Sequence, residues 1–168
     1  ICILRLSALG DVCHVVPVVR TLQDTWPSTQ LTWILGRLEH KLLGHLPGIE
    51  FVVFDKNAGA QGYRDLRSQL RGRRFDALLH MQLALRASIA SMLVPAGHRL
   101  GFDRARAREG QWLFTNAKIE ARSREHVLDS LFGFAERLGV NTRSMRWDIP
   151  LPDSARAYAN EAIPDPAK

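Results

Sequence analysis

The chain has 168 residues, 46% of them hydrophobic and 24% charged, which suits one soluble α/β domain able to bury a core. A formal charge of +6 and a pI of about 10.0 favour an anionic partner, yet aromatics are few near the arginines and no helix-turn-helix or zinc-finger spacing occurs, which argues against nucleic acid. The longest apolar run, Leu78 to Pro95, is interrupted by His80, Gln82 and Arg86 and cannot span a membrane, and Cys2 and Cys13 lack metal-type or disulfide spacing and suit reduced thiols of a cytosolic protein.

In chain order, Ile1, Ile3, Leu4 and Leu6 describe a short buried strand that Ser-Ala-Leu-Gly breaks. Val12, Val15, Val16, Val19 and Leu22 recur at helical spacing to about Trp26, and Pro17 is expected to kink that helix or begin a second segment. A strand over Leu31 to Leu35, a helix over Leu38 to Leu46 and a strand over Phe51 to Phe54 follow, then a helix from about Tyr63 to Arg74. Asp76 to His80 reads as a fourth strand, Leu85 to Leu93 as a helix, Pro95-Ala-Gly97 as a closing turn and His98 to Phe102 as a fifth strand. An irregular stretch runs to Glu120, ahead of a helix from about Arg124 to Leu138 capped by Gly139. Trp147 to Leu151 is read as a last strand and Asp153 as the cap of a final short helix.

Alternating strands and helices imply a doubly wound, mainly parallel sheet. In such a sheet the first and fourth strands are neighbours where strand order reverses, and ligands sit outside their carboxyl ends. That places Ser7 to Asp11 and His80 to Gln82 in one crevice. Gly10 permits close approach of a neighbour or ligand, and Asp11 falls in the first helical turn, where unpaired N–H groups favour an anion. His14, three residues on, shares its helix face. The same residues also make a good cap, and on spacing alone capping accounts for them.

The run Arg5-Leu-Ser-Ala-Leu-Gly-Asp-Val-Cys-His14-Val-Val-Pro17 resembles the opening of the ADP-heptose:lipopolysaccharide heptosyltransferases, a Ser-x-x-Gly-Asp-Val-x-His-x-x-Pro turn after the first strand. Phe75 to Gln82, Gly101-Phe-Asp103 with Ala107-Arg-Glu109, and Glu125-His126-Val127 resemble later family segments, although His80 and Leu83 replace the Asp and Gly that often flank Gln82. The resemblance implies the Rossmann-like N-terminal, acceptor-side half of a GT-B transferase. Residues 1–152 would form that domain, and 153–168 a short helix and linker towards a C-terminal donor domain. An opening at Ile1 without an initiator Met, and the proline-bearing end, fit the expectation of a fragment.

By the same resemblance Asp11 is the general base that deprotonates an acceptor sugar hydroxyl, which attacks the anomeric carbon of ADP-heptose with inversion. No metal or other cofactor is implied, and the donor is held mainly by the other half. The implied acceptor is an anionic lipid-linked sugar, contacted by Ser7, Gly10, His14, Gln82, Arg108 and His126. The implied location is cytoplasmic, peripheral to the inner membrane.

Arg64, Arg67, Arg71 and Arg74 recur as a basic stripe. It is either a solvated face or, given such an acceptor, a contact to its phosphates or to the membrane surface. In the loop after the fifth strand, Arg108 is the expected ligand, while Arg104 and Arg106 are expected to be solvated. His126 otherwise reads as a capping histidine, and Trp112 as the tryptophan closest to the basic loop. Two rivals remain: a noncatalytic α/β module that binds an anion at Ser7 to Asp11, with Asp11 a cap, and a dinucleotide domain, for which the Gly-x-Gly-x-x-Gly spacing is missing.

Overall fold

The computed structural model describes residues 1–163. The strands are β1 (Cys2–Leu4), β2 (Leu31–Gly36), β3 (Ile49–Phe54), β4 (Phe75–His80), β5 (Ala96–Gly101) and β6 (Ala117–Lys118). The helices are α1 (Leu9–Thr25), α2 (Arg37–Leu43), α3 (Gly59–Gln69), α4 (Leu85–Ser91), α5 (Val127–Arg137) and α6 (Asp153–Ala162), with a 3-10 turn at Gln111–Leu113. The strands form one sheet in the order β3-β2-β1-β4-β5-β6, with every pairing parallel. Strand order therefore reverses between β1 and β4, where Leu4 pairs with His80.

Period-2 alternation divides β1 between two cores. Ile3 joins Trp33, Leu79 and Leu100 beneath α1 and α5, while Cys2 and Leu4 join Ile34, Leu78 and Phe54 beneath α3 and α4. Gly36 is needed where β2 passes the end of β1: its N–H donates to Leu6 O at 2.9 Å, and a Cβ there would sit 2.8 Å from the same oxygen.

Several sequence expectations are corrected. α1 runs unbroken through Pro17, because Val15, Val16, Val18 and Val19 around it are all buried; tertiary packing offsets the roughly 3 kcal/mol of an interior proline. α3 stops at Gln69, and Gly72 takes a left-handed φ of 74°, so Arg71 and Arg74 leave the helical stripe. Residues 96 and 97 belong to β5 rather than to a turn, and Phe75 N–H donates to Pro95 O at 2.9 Å beside them. The irregular stretch before Glu120 contains the short edge strand β6.

Residues 147–151 form no strand. The segment is held over α1 by Arg20 Nη2 donating to Asp148 O (3.1 Å), Ser144 N–H donating to Thr21 Oγ1 (2.8 Å) and an Arg146–Asp24 ion pair (2.9 Å), away from any sheet edge. Asp153 is the first residue of α6 and Pro152 its cap, without a side-chain capping bond. Gly139, with φ of 93°, closes α5 as expected. Residues 164–168, the end of the expected linker, lie outside the described residues.

Candidate active site

β1 ends in a turn whose Ser7–Ala8 peptide bond is cis, and α1 begins at Leu9. Gln82, just past β4, holds this turn: its Oε1 accepts from Leu6 N–H at 2.7 Å and Ser7 N–H at 3.2 Å. Expected as an acceptor contact, Gln82 thus has its carbonyl oxygen committed to the fold. Gln111, fully buried in the 3-10 turn, fastens the next loop by donating to His80 O (2.8 Å) and Gln82 O (3.0 Å) and accepting from Phe102 N–H (3.1 Å). No spacing in the sequence marks that glutamine.

Asp11 stands in the first turn of α1, and its Oδ2 accepts from Ala8 N–H at 3.3 Å, so it does cap the helix. The same oxygen lies 2.6 Å from Arg5 Nη2, and Arg5 Nη1 donates to Met81 O. The Arg5 side chain is only 12% exposed, against 42% for Asp11. Among the described residues no donor reaches Asp11 Oδ1. Arg5 was missed as a site residue, although one arginine inside the apolar run ICILRL signals a paired charge. A Cβ on Gly10 would meet nothing within 4 Å, so space is open above the first turn of α1.

His14 packs edge-on against His126, with ring centroids 5.8 Å apart, and its Nδ1 is buried without a hydrogen-bond partner. His126 caps α5 by accepting from Leu128 N–H on Nδ1 at 3.2 Å. The two histidines therefore join the N-terminal portions of α1 and α5.

A cavity of about 570 Å³ opens beside Asp11, lined by Arg5, Leu83, Phe102, Arg106, Arg108, Arg122 to Glu125 and the first residues of α5. Of the expected residues, Asp11 and Arg108 line it; Ser7, Gly10, His14, Gln82 and His126 do not. Arg108 and Arg124, both lining the cavity, are exposed and form no ion pair among the described residues. Arg104 instead lies over the Trp112 ring, 4.8 Å from its centroid.

Arg106 is not solvated. It pairs with Asp103 and with Glu125 (2.6 Å), and donates to Ser130 Oγ (2.7 Å) and Glu120 O (2.6 Å), clamping the floor of the cavity. Burial pushes the Asp103 carboxyl up, but the Arg106 hydrogen bond and the Ala105 N–H outweigh it and hold the group below its usual range. Arg122 is likewise occupied, by Glu120, Glu125 and Glu136. Below the crevice, His80 is pushed down to about 3 by burial and by Arg99, with Nε2 3.1 Å from Ser88 Oγ.

The basic stripe lies elsewhere. Arg64, Arg67 and Arg71 surround a depression of about 480 Å³ with Leu93 and Pro95, at the amino edge of β4 and β5, and Arg74 lines a separate hollow with Glu50. One length of β4, about 20 Å, separates that edge from the carboxyl edge carrying Asp11, so these arginines do not join the cavity. Among the described residues no group of three or more His, Cys, Asp or Glu side chains is placed to hold a metal ion, and no helix is long and apolar enough to cross a membrane.

The fold is that of solved transferases. E. coli heptosyltransferase WaaC with ADP-2-deoxy-2-fluoro heptose superposes with a TM-score of 0.74 at 21% identity, over 88% of this chain and 50% of that one. A glycosyl transferase family 9 protein from Veillonella parvula superposes with a TM-score of 0.81 at 19% identity, over 98% and 50%. By sequence, the chain is 44% identical over 163 residues to the lipopolysaccharide core heptosyltransferase OpsX of Haemophilus influenzae, 97% of this chain and 47% of that protein. It thus spans about half the length of the relatives it matches. Residues 63–168, more than half of the chain, match the family described as glycosyltransferase family 9 (heptosyltransferase), and the chain belongs to that family.

Proposed function

We propose that residues 1–152 are the acceptor-side domain of an inverting glycosyltransferase that moves heptose from ADP-heptose to the lipopolysaccharide inner core, with residues 153–168 leading towards a donor-binding half. The reaction takes place on the cytoplasmic side of the inner membrane. The observation that carries this reading is the division of labour within one carboxylate. Arg5 and the Ala8 N–H hold Oδ2 of Asp11, while Oδ1 stays free beside a cavity with two unpaired arginines.

An acceptor hydroxyl placed at Oδ1 gives up its proton there as its oxygen bonds to the anomeric carbon. The bond from that carbon to the diphosphate breaks, and ADP departs with the electron pair. A carboxylate is a weak base towards a sugar hydroxyl, so positioning and exclusion of water supply much of the effect. Arg108, with Arg124 in the same cavity lining, meets the acceptor's phosphate or carboxylate in forked, charge-assisted hydrogen bonds. Arg106, spent on Asp103 and Glu125, shapes the cavity and contacts no acceptor.

The capping bond from Ala8 to Asp11 also suits a noncatalytic anion-binding module. The two readings part in a transfer assay. The full-length protein carrying this chain, given ADP-heptose and a heptose-free lipopolysaccharide acceptor, releases ADP and lengthens the acceptor by one heptose. Acceptor binding without ADP release under these conditions would leave only the binding module.

A further inference from the structure

α4 is turned inside out. Its buried face is small and partly polar, made of Ala87, Ser88, Ala90 and Ser91, whereas its large apolar residues Leu85 and Ile89, with Met92 at its C-terminal cap, face outward at intervals of four and three residues. A helix that only completes the core would place Leu, Ile and Met against the sheet. The outward stripe continues onto the 3-10 turn. Met92 and Leu113, 59% and 67% exposed, line one hollow, Trp112 stands beside Leu113 in the chain with Arg104 over its ring, and Glu109 accepts from Leu85 N–H.

This apolar ridge has a basic flank. Arg86 is exposed on α4, and the depression between the helices brings Arg64, Arg67 and Arg71 together with Leu93, the residue after Met92. The nearby carboxylates are engaged: Asp65 accepts from Gln61 and Glu109 from Leu85. Contiguous exposed apolar side chains rimmed by cations mark an interaction surface, and this combination matches an anionic bilayer, where the apolar groups enter the headgroup region and the arginines meet lipid phosphates.

We propose that the outer face of α3, α4 and the 3-10 turn docks on an anionic phospholipid surface. A second copy of the chain would bring like-charged arginine clusters together. The donor half belongs at the carboxyl edge of the sheet, where ligands of doubly wound folds bind, and not on this helical layer. The assignment deepens the membrane-peripheral part of the proposed function and gives the arginines of α3 a partner other than the acceptor cavity. Its test reads lipid binding alone, so a failure leaves the transfer reaction standing.

The experiment is co-sedimentation of the full-length protein carrying this chain with vesicles of phosphatidylglycerol and phosphatidylcholine in equal parts, and with phosphatidylcholine alone. The expected result is partition onto the mixed vesicles and little onto the neutral ones. Ile89→Ser with Met92→Ser lowers the partition coefficient by at least about tenfold, since each removes a side chain that transfers out of water on docking. Arg64→Gln with Arg67→Gln lowers it by roughly tenfold at physiological salt and much less at high salt. Leu38→Ser, about as exposed as Met92 but on α2 across the sheet, leaves partition unchanged, and circular dichroism confirms that each variant is folded. Unchanged partition of the Ile89/Met92 variant, equal binding to neutral vesicles, or no binding by the parent protein would each overturn the proposal.

Discussion

The substitution Asp11→Asn separates the capping bond seen at this carboxylate from the general-base role proposed for it. Asparagine keeps the size and an acceptor oxygen, so the Ala8 N–H retains its partner and helix capping survives. What is lost structurally is the charge opposite Arg5. That pair joins a guanidinium 12% exposed to a carboxylate 42% exposed, and solvent screening limits its worth to about 0.5–1 kcal/mol. What is lost chemically is the proton acceptor at Oδ1. Removal of a positioned general base costs roughly 10²- to 10⁴-fold in turnover, about 3–5 kcal/mol of barrier. The measurements are steady-state ADP release by the full-length enzyme, calorimetric affinity for the donor, and thermal unfolding. Turnover is expected to collapse while donor affinity holds and unfolding shifts slightly. Near-normal turnover would refute the base assignment, and activity lost only in proportion to unfolding would return Asp11 to capping.

For acceptor affinity, Arg108→Gln is expected to cost more than Arg104→Gln, because Arg108 lines the cavity unpaired while Arg104 lies on Trp112; equal losses measured by acceptor titration would mean diffuse attraction only. Arg106→Met leaves the Asp103 carboxylate, 7% exposed, without its cation and Glu125, 11% exposed, with only the longer pair to Arg122, and is expected to destabilise the fold by about 2–4 kcal/mol in urea unfolding. A pH term comes from His80, pushed down to about 3 in the fold against an ordinary value near 6.5. The unfolded chain takes up this proton first, so stability is lost as pH falls below about 6.5 and continues to fall towards 3. Between pH 7 and pH 5 the loss is about 2 kcal/mol. His80→Gln, which can still hydrogen-bond Ser88, should remove that share of the pH dependence; identical slopes in the two proteins would rule it out.

Local signals were enough for the sheet and for the position of its ligand edge. Apolar runs of strand length alternating with helical periods specify a parallel α/β sheet, and the Ser7 to Asp11 turn marks its carboxyl edge, because both depend on residues close in the chain. Boundaries moved where distant packing outweighed local preference, as in the unbroken passage of α1 through Pro17 and the irregular segment 147–151 tied to α1 through Arg20 and Asp148. Of the site residues singled out by pattern, Asp11 and Arg108 line the cavity and the others do not. Arg106 read like its neighbours Arg104 and Arg108 in an arginine-alanine repeat, and only the folding of Glu120, Glu125 and Ser130 around it made it a clamp. Gln82 and Gln111 became struts because the ends of β1, β4 and β5 converge on them from up to 76 positions away. The outward ridge of α4 depends likewise on the sheet: an apolar stripe read from periodicity looks the same whichever way the helix faces, and contact of Ala87 and Ala90 with the core turned it outward. Sequence patterns thus report which residues share a face, whereas the choice of face and the pairing of charges follow from long-range burial, which local periodicity does not encode.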